Sequence, residues 1–485
     1  MRKMFYFFIL IILTLQTIAY NTIDPDYWAR LLQGNYFLQH GSIMKTDIFS
    51  YTQTHEWIDH EWLSSIVFSF IQNNFGFSGI LIFKTLLVFL IFLLIFKTIR
   101  LETEKNSTLL NILLFSAAVC AMPSITQSGL RCHFFTFLFF TLFIYILELV
   151  RKKGKTKLLF LLPPVMLIWF NMHGGCVSGF GLLFLYAAGE ALNKKPFKHY
   201  IYTLAACAAL MFINPYGIEY IKFVFSAALM SRPYVTEWIS PFLHPDLSFM
   251  LWFKALFIFF AAVIIKNIKA LKTDYTKLLI LCACIIVSFK SVKSSPFFIT
   301  ASMIFIYEYI AAFIPEKLPK IINISAAAAI IAAGALSINK ESFFFLSYQP
   351  YEVIEFMRIN ELKGKLLAPM EMGSYAAYKL YPDILIYMDG RYEEVYYKET
   401  KDRLNAFFNM EENRLDILED KPDFIIIPAD AAINETMLFR PDYKVIWTDE
   451  RNWLYSIDEI VKPVYKRRSN DKNYYIKNAF KTGVI

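Results

Sequence analysis

Apolar runs recur along this chain, separated by short polar or charged stretches. The first fills residues 1–20, behind Arg2 and Lys3. Others lie at roughly 76–96, 107–123, 133–150, 158–170, 176–190, 200–213, 249–265, 276–289, 296–314 and 321–337. A spanning helix needs about 17–25 apolar residues, and most of these runs approach that length. The pattern therefore predicts about eleven spans. Two further stretches, 62–75 and 218–230, are apolar but interrupted, and read as interfacial helices lying along the membrane. The opening run has the outline of a signal peptide. It is long and aromatic, with a weak small-residue site near Ala19, so it reads as a retained first span.

The pattern changes at about residue 338. Short β-like runs (LLAPM, DILIYMD, DFIIIPA, YKVIWT, WLYSI) alternate with helical patterns (YEVIEFMRINEL and KETKDRLNAFFNMEENRLDIL). Strands alternating with helices predict a small α/β domain. The expected organisation is a transmembrane domain over 1–337, with a first outer loop at 21–75. An α/β domain follows over 338–461, and a basic tail over 462–485.

Charge orients the helices. Lys and Arg crowd alternate connections: Arg2 and Lys3; Lys97, Arg100 and Lys105; Arg151 to Lys157; Lys194, Lys195 and Lys198; Lys266 to Lys277; Lys317 and Lys320. The other connections hold only Arg30, Lys45, Arg131, Lys222, Arg232, Lys290 and Lys293. By the positive-inside rule the first set is cytoplasmic. The N-terminus is then inside and the α/β domain outside, as expected of a multi-pass membrane protein. This bias accounts for the net charge of +8 without nucleic acid. Composition agrees: 56% of the 485 residues are hydrophobic, 18% are aromatic, and 48 are Phe. The six cysteines sit in or beside apolar runs, with neither metal-ligand spacing nor a disulfide framework. No GxGxxG, Walker loop, GxSxG or Cys/His zinc pattern is present.

Against this background the stretch from Asn21 to Trp62 stands out. It carries Asp24-Pro25-Asp26 at one end and Asp59-His60-Glu61 at the other, with Tyr27, Trp28, Trp57 and Trp62 interleaved. Two carboxylates beside a proline can hold a divalent cation or take a proton from a hydroxyl. They are equally good chemistry for a helix start. His60 or Glu61 would complete such a site, or cap an interfacial helix. Arg131 and His133 flank the start of a span, where an Arg suits a phosphate bidentately or snorkels to the interface. Lys290 and Lys293 read the same way. Asn171 and His173 precede two glycines, and would line a cavity or make a plain turn. With Glu237 and the Asn214-Pro-Tyr-Gly turn, every distinctive short motif falls on the outer face.

These residues carry a family resemblance. D-P-D-Y-W-x-R-L-L-x-G, T-D-I-F-S-Y-T and W-x-D-H-E-W-L resemble the first outer loop of GT-C-type integral-membrane glycosyltransferases. W-F-N-M-H-G-G, N-P-Y-G, E-W-I-S-P, G-S-Y-A-A-Y and M-D-G-R are similar to one bacterial subgroup of that superfamily, so the resemblance covers nearly the whole chain. Ser374 stands where a second glycine is expected. The wider class includes protein O-mannosyltransferases and oligosaccharyltransferases. The resemblance implies a sugar donor on a polyprenyl phosphate or diphosphate and an essential acid in the first outer loop, matched here by Asp24 or Asp26.

The expected fold is a polytopic α-helical membrane protein, GT-C-like, with a small C-terminal α/β extracytoplasmic domain. The expected activity is sugar transfer to an acceptor (glycan, lipid or protein) at the outer leaflet. Asp24, Asp26, Asp59, His60 and Glu61 are the candidate catalytic residues. Arg131, His133, Asn171, His173, Glu237, Lys293, Asp389 and Arg391 are the candidate substrate contacts, with Asp389 and Arg391 alternatively bracing a turn. Asp24 and Asp26 are the candidate ligands of a Mg or Mn ion. A lipid-linked-sugar transporter would instead need charges at mid-membrane depth. A non-catalytic scaffold that kept the fold is the third reading.

Overall fold

The computed structural model describes residues 2–20, 23–105, 107–229, 236–244, 246–314, 319–336 and 351–457. The expected basic tail, Arg232 and Lys317 lie outside the described residues. The chain divides into two units. One takes residues 1–22 and 81–345, the other residues 23–80 and 346–485. The first outer loop thus belongs with the C-terminal α/β segment rather than with the helices that flank it in sequence. That follows from its composition, since its charged and aromatic residues find partners in the α/β segment, as the next section shows.

The first unit is helical. Its helices include α1 (Arg2–Ala19), Thr108–Ala121, His133–Lys153, Leu162–Met172, Val177–Leu192, Lys198–Leu210, Leu251–Lys266, Tyr275–Lys290 and Lys320–Leu336. Each predicted apolar run carries helix. The run at 296–314 is split into Ser295–Phe305 and Tyr307–Ala311. Among the described residues, three helical segments are long and apolar enough to cross a membrane: Trp62–Glu102, His133–Lys153 and Gly174–Leu192. Four more, Phe5–Ala19, Thr108–Ala121, Thr156–Met172 and Lys320–Leu336, are apolar but shorter. The expectation of eleven spans rested on hydropathy alone, and many of these helices stop short of the length of a bilayer. Phe115, Phe134, Trp169 and Phe298 are fully buried in the packing between helices.

The first unit also buries an ionic cluster. Arg151 donates to both oxygens of Asp274 at 2.8 and 2.7 Å and to both oxygens of Glu148 at 3.1 Å. Lys277 and Lys152 meet Glu102 at 2.6 and 3.3 Å, and the Tyr186 hydroxyl donates to Glu148 at 2.7 Å. These cations looked like simple topology markers in the sequence. Here they also neutralise carboxylates that burial would otherwise penalise.

The second unit begins with α2 (Pro25–His40). Asp24 caps it, its Oδ1 accepting from Asp26 N at 3.0 Å, and Pro25 supplies a preset φ in the first turn. The buried face of α2 includes Tyr27, Trp28 and Leu31. Gly34 lies so close to the start of α3 (Trp62–Glu102) that a Cβ there would come within 2.1 Å of Ser65 O. α3 is broken at Gly76, whose φ of 62° and ψ of −163° are not helical. That break falls where the sequence separates an interfacial stretch from a span.

The remainder is a five-stranded sheet ordered β2-β1-β3-β5-β4. Its strands are β1 (Gly364–Leu367), β2 (Ile384–Ile386), β3 (Phe424–Pro428), β4 (Tyr443–Thr448) and β5 (Asn452–Ile457). β1 runs parallel to β2 and β3, while β5 is antiparallel to β3 and β4. Each of the five β-like runs overlaps one strand. In β3, Phe424, Ile425, Ile426 and Ile427 are all fully buried. That is the unbroken apolar pattern of a central strand covered on both faces. Each such side chain contributes roughly 1.5–3 kcal/mol of transfer free energy.

Residues 49–51 extend the sheet at the exposed side of β2. Tyr51 N donates to Ile386 O at 3.0 Å, and Ile386 N donates to Phe49 O at 2.9 Å. The first loop therefore covers what would be an open edge. The helix Met370–Leu380 packs Tyr375 and Tyr378 on Trp28, with ring centroids 4.9 and 5.0 Å apart. It runs unbroken through Ser374, which is fully buried, so no turn exists there for a second glycine to serve.

Candidate functional site

The two acidic clusters of the first loop are built differently. Asp24 and Asp26 open α2, and both are half-buried. Asp24 spends one oxygen on the cap, and Asp26 lies in the first turn, where the helix dipole favours a carboxylate. The ideal Cβ position of Gly390 lies 3.1 Å from Asp26 Oδ1. The Asp389-Gly390-Arg391 turn thus meets α2 at this carboxylate, and a Cβ at Gly390 would crowd it.

The second cluster is closed. Asp59 is fully buried and receives Arg30 from α2, and it also accepts from Glu61 N at 2.9 Å. Arg30 reaches Glu61 at 3.4 Å and Glu394 at 3.5 Å. His60 Nδ1 lies 3.1 Å from Glu394 Oε1, and Trp57 Nε1 donates to Glu394 Oε2 at 3.1 Å. Three carboxylates share the cations Arg30 and His60. Burial pushes the Asp59 carboxyl up, against the pull of Arg30. Burial alone would lower His60, but Glu394 and Glu61 more than offset it and hold the imidazole at about 9. Burial would raise Glu394, yet His60 and Arg30 hold it at about 2. His60 and Glu394 therefore form an ion pair at neutral pH.

A second nest lies nearby in the same unit. Arg391 donates through Nε to Asp389 at 2.8 and 3.0 Å, and through Nη1 to Asp47 at 2.8 Å. All three side chains are fully buried. The guanidinium also stacks over Trp57, 4.7 Å from its centroid. Tyr396 closes the nest, with its hydroxyl 2.6 Å from Ser50 Oγ. This arrangement fits the bracing alternative for Asp389 and Arg391. Glu394, Asp47 and Tyr396 were not singled out in the sequence. Asp47 and Glu394 lay within or beside the quoted motifs, and only the fold shows which cations they meet.

The candidates on the helical unit form their own group. Arg131 pairs with Glu237. Burial would raise the Glu237 carboxyl, but Arg131 and Lys293 hold it below the usual carboxylate range. Lys293 also lies over the Trp238 ring, 5.5 Å from the centroid. Two cations to one carboxylate leave this patch net positive. His133 sits elsewhere, with Nε2 2.7 Å from Ser124 O. His173 Nδ1 is 2.7 Å from Thr136 Oγ1 and accepts from Gly175 N at 2.9 Å. Asn171 donates to Leu167 O and Ile213 O.

Among the described residues no three or more His, Cys, Asp and Glu side chains come together in a metal-holding group. Asp24 and Asp26 alone offer two carboxylates, one of whose oxygens serves the helix cap.

Comparison with known proteins gives the fold. No protein-family model matches the chain, and no curated protein matches it in sequence. Solved structures do match in three dimensions, two of archaeal oligosaccharyltransferase among them. One is the Archaeoglobus fulgidus oligosaccharyltransferase tethered to an acceptor peptide containing the NVT sequon. It has a TM-score of 0.58 and 12% identity, over 87% of this chain and 69% of that one. The other is the oligosaccharyltransferase AglB of the same archaeon, in complex with an inhibitory peptide and a dolichol-phosphate. Its TM-score is 0.56, with 12% identity, over 88% and 70% of the two chains. Over most of its length, this chain is therefore folded like an archaeal oligosaccharyltransferase.

Proposed function

We propose that this protein is a membrane glycosyltransferase that moves a sugar from a polyprenyl-phosphate or diphosphate carrier to an acceptor hydroxyl at the outer face of a bacterial cytoplasmic membrane. The observation that carries this reading is Asp26. It is a half-buried carboxylate in the first turn of α2, set against Gly390, on a fold shared with enzymes of that chemistry. The dolichol-phosphate bound by AglB supports a lipid-phosphate donor here, and the acceptor peptide of the first neighbour supports a protein among the acceptors.

In the proposed single displacement the acceptor hydroxyl attacks the anomeric carbon. The bond from that carbon to the phosphate oxygen breaks, its electron pair stays on the phosphate, and the acceptor's proton passes to Asp26. Inversion at the anomeric carbon follows. Fixed positive charge at the leaving phosphate lowers the barrier most, and Arg131 and Lys293 are the candidates to supply it. Asp24 shapes the helix start that holds Asp26. Asp59, His60, Glu61, Asp389 and Arg391 hold the first loop on the sheet, and no step passes through a metal.

The test is mass spectrometry of cell-envelope glycans and glycoproteins from a deletion strain, complemented with wild type or with Asp26→Asn. A glycan lost on deletion, restored by wild type and not by Asp26→Asn, is the expected result. An unchanged glycan profile on deletion, or full restoration by Asp26→Asn, overturns the proposal.

A further inference from the structure

The second unit holds a cleft that the transfer step does not use. It is a cavity of about 800 Å³, within the roughly 300–1,000 Å³ typical of small-molecule sites. The first loop lines one part of it with Tyr51, Thr52 and Gln53. Tyr387, just past β2, and Tyr397, at the start of the helix Lys398–Phe408, bring two more aromatic rings.

The charges of the lining decide what kind of ligand fits. Lys365, Arg403 and Lys421 are matched by Glu399, Glu419 and Asp420, three of each sign. Arg403 is already paired with Asp420 at 2.8 Å and donates to Asp416 O at 2.6 Å. A phosphate or a uronate would meet carboxylates here, and a polycation would meet ammonium and guanidinium groups. Ion pairs at a surface of this kind still offer many donors and acceptors.

Tyr51 supplies an independent sign. Its hydroxyl is buried and has no hydrogen-bond partner among the described residues. Lys365 Nζ lies over its ring, 5.4 Å from the centroid. An unmet buried hydroxyl costs free energy on the order of 1–3 kcal/mol unless a ligand or water meets it. Tyr397 is 43% exposed, so its ring is open to contact.

Tyrosine rings beside balanced polar groups match the surface of a sugar. Its ring faces carry C–H groups that pack on aromatic faces, and its rim carries hydroxyls that donate and accept. We propose that this cleft binds a neutral oligosaccharide segment. This rests on the glycosyltransferase reading and gives it a second contact with carbohydrate, away from Asp26. The segment belongs either to the acceptor or to the glycan on the lipid carrier.

The experiment is equilibrium binding to the purified full-length protein in nanodiscs. The probes are neutral hexose and N-acetylhexosamine oligomers, uronate-containing oligomers, and inorganic phosphate. Neutral oligomers are expected to bind, and uronates and phosphate much more weakly. Tyr397→Ala is expected to weaken neutral binding about two- to tenfold, the scale of one lost stacking contact, and Gln53→Ala less. Both positions are exposed, so neither substitution threatens the fold. Comparing a free glycan with the same glycan on a polyprenyl phosphate separates the two sources. A preference for the linked form assigns the donor, and equal binding assigns the acceptor.

Three outcomes overturn the proposal: no neutral glycan binds wild type, phosphate or uronates bind best, or both variants bind as wild type does. Asp26→Asn should bind glycans normally. Normal transfer by that variant, with glycan binding intact, would sink the transfer mechanism and leave the cleft standing. Impaired transfer with no glycan binding would do the reverse.

Discussion

Asp24-Pro-Asp26 and Asp59-His-Glu61 look alike in the sequence. Each is a short acidic motif at one end of the same loop, with aromatic neighbours. In the structure they differ in burial and in their partners. Asp59 is fully buried, with Arg30, His60 and Glu394 packed around it, whereas Asp24 and Asp26 are half-buried at the mouth of a helix. Composition could not separate them, because the deciding residues, Arg30 and Glu394, lie 29 and 335 positions from Asp59. The lesson is that a buried cation turns an acidic motif into a brace, a role set by burial and distant partners rather than by the motif itself.

The contrast breaks first on activity. Asp26→Asn is expected to lower transfer about 100- to 10,000-fold, the range for loss of a general base, while the melting temperature stays near wild type. A reconstituted transfer assay beside a melting curve checks both. A wild-type rate would make the two clusters equivalent and end the comparison.

The next effect is on stability. Arg30→Ala leaves Asp59 and Glu394 buried without their guanidinium. Breaking a buried pair from one side costs about 3–5 kcal/mol. Limited proteolysis should then cleave the 23–80 segment, with protein level falling in step. Stability within about 1 kcal/mol of wild type would mean that the nest is not a brace.

The nest also sets a pH window. His60 is raised from 6.5 to about 9, so its contribution is whole below about 6.5 and fades as pH climbs through 9. Glu394 is lowered from 4.5 to about 2, so its contribution is whole above about 4.5 and fades as pH falls through 2. Denaturation midpoints measured against pH should peak between roughly 4.5 and 6.5 as far as this nest is concerned. His60→Gln should flatten the alkaline limb, and a limb unchanged by that substitution would place the titration elsewhere.

The smallest effect sharpens the division of labour within the first cluster. Asp24→Ala is expected to cost about 0.5–2 kcal/mol through the lost cap, and Asp24→Asn almost nothing. Paired melting curves test this. An Asp24→Asn protein that folds as wild type but no longer transfers would move the catalytic role from Asp26 to its neighbour.

Much of this was legible beforehand. Each apolar run holds helix, and each of the five β-like runs overlaps a strand, because local periodicity and β-branched content dictate both. The Asp24 cap could be read from Asp-Pro-Asp alone. The grouping of residues 23–80 with the sheet could not, since it depends on pairings such as Asp47 with Arg391, 344 positions apart. Nor could the buried Arg151 cluster, whose members are spread over four helices and looked like topology signals. The lengths of the helices were the weakest expectation, since hydropathy marks where a helix is apolar and not where its hydrogen bonding stops.

The strand-like pairing of residues 49–51 with Ile386 also has a consequence in time. The two partners leave the ribosome some 335 residues apart, the separation of Thr52 from Tyr387. At about 5–20 residues per second, that is a wait of roughly 17–67 s. Throughout it the first loop has left the translation machinery, yet Glu394, Arg391 and the edge of β2 do not exist. Asp47 must pass that interval without Arg391, and the Arg30–Asp59 pair without Glu394. Truncation ahead of the helix Met370–Leu380 would therefore leave residues 23–80 without the α/β partners that Trp28 and Asp47 meet, however complete the helices in between.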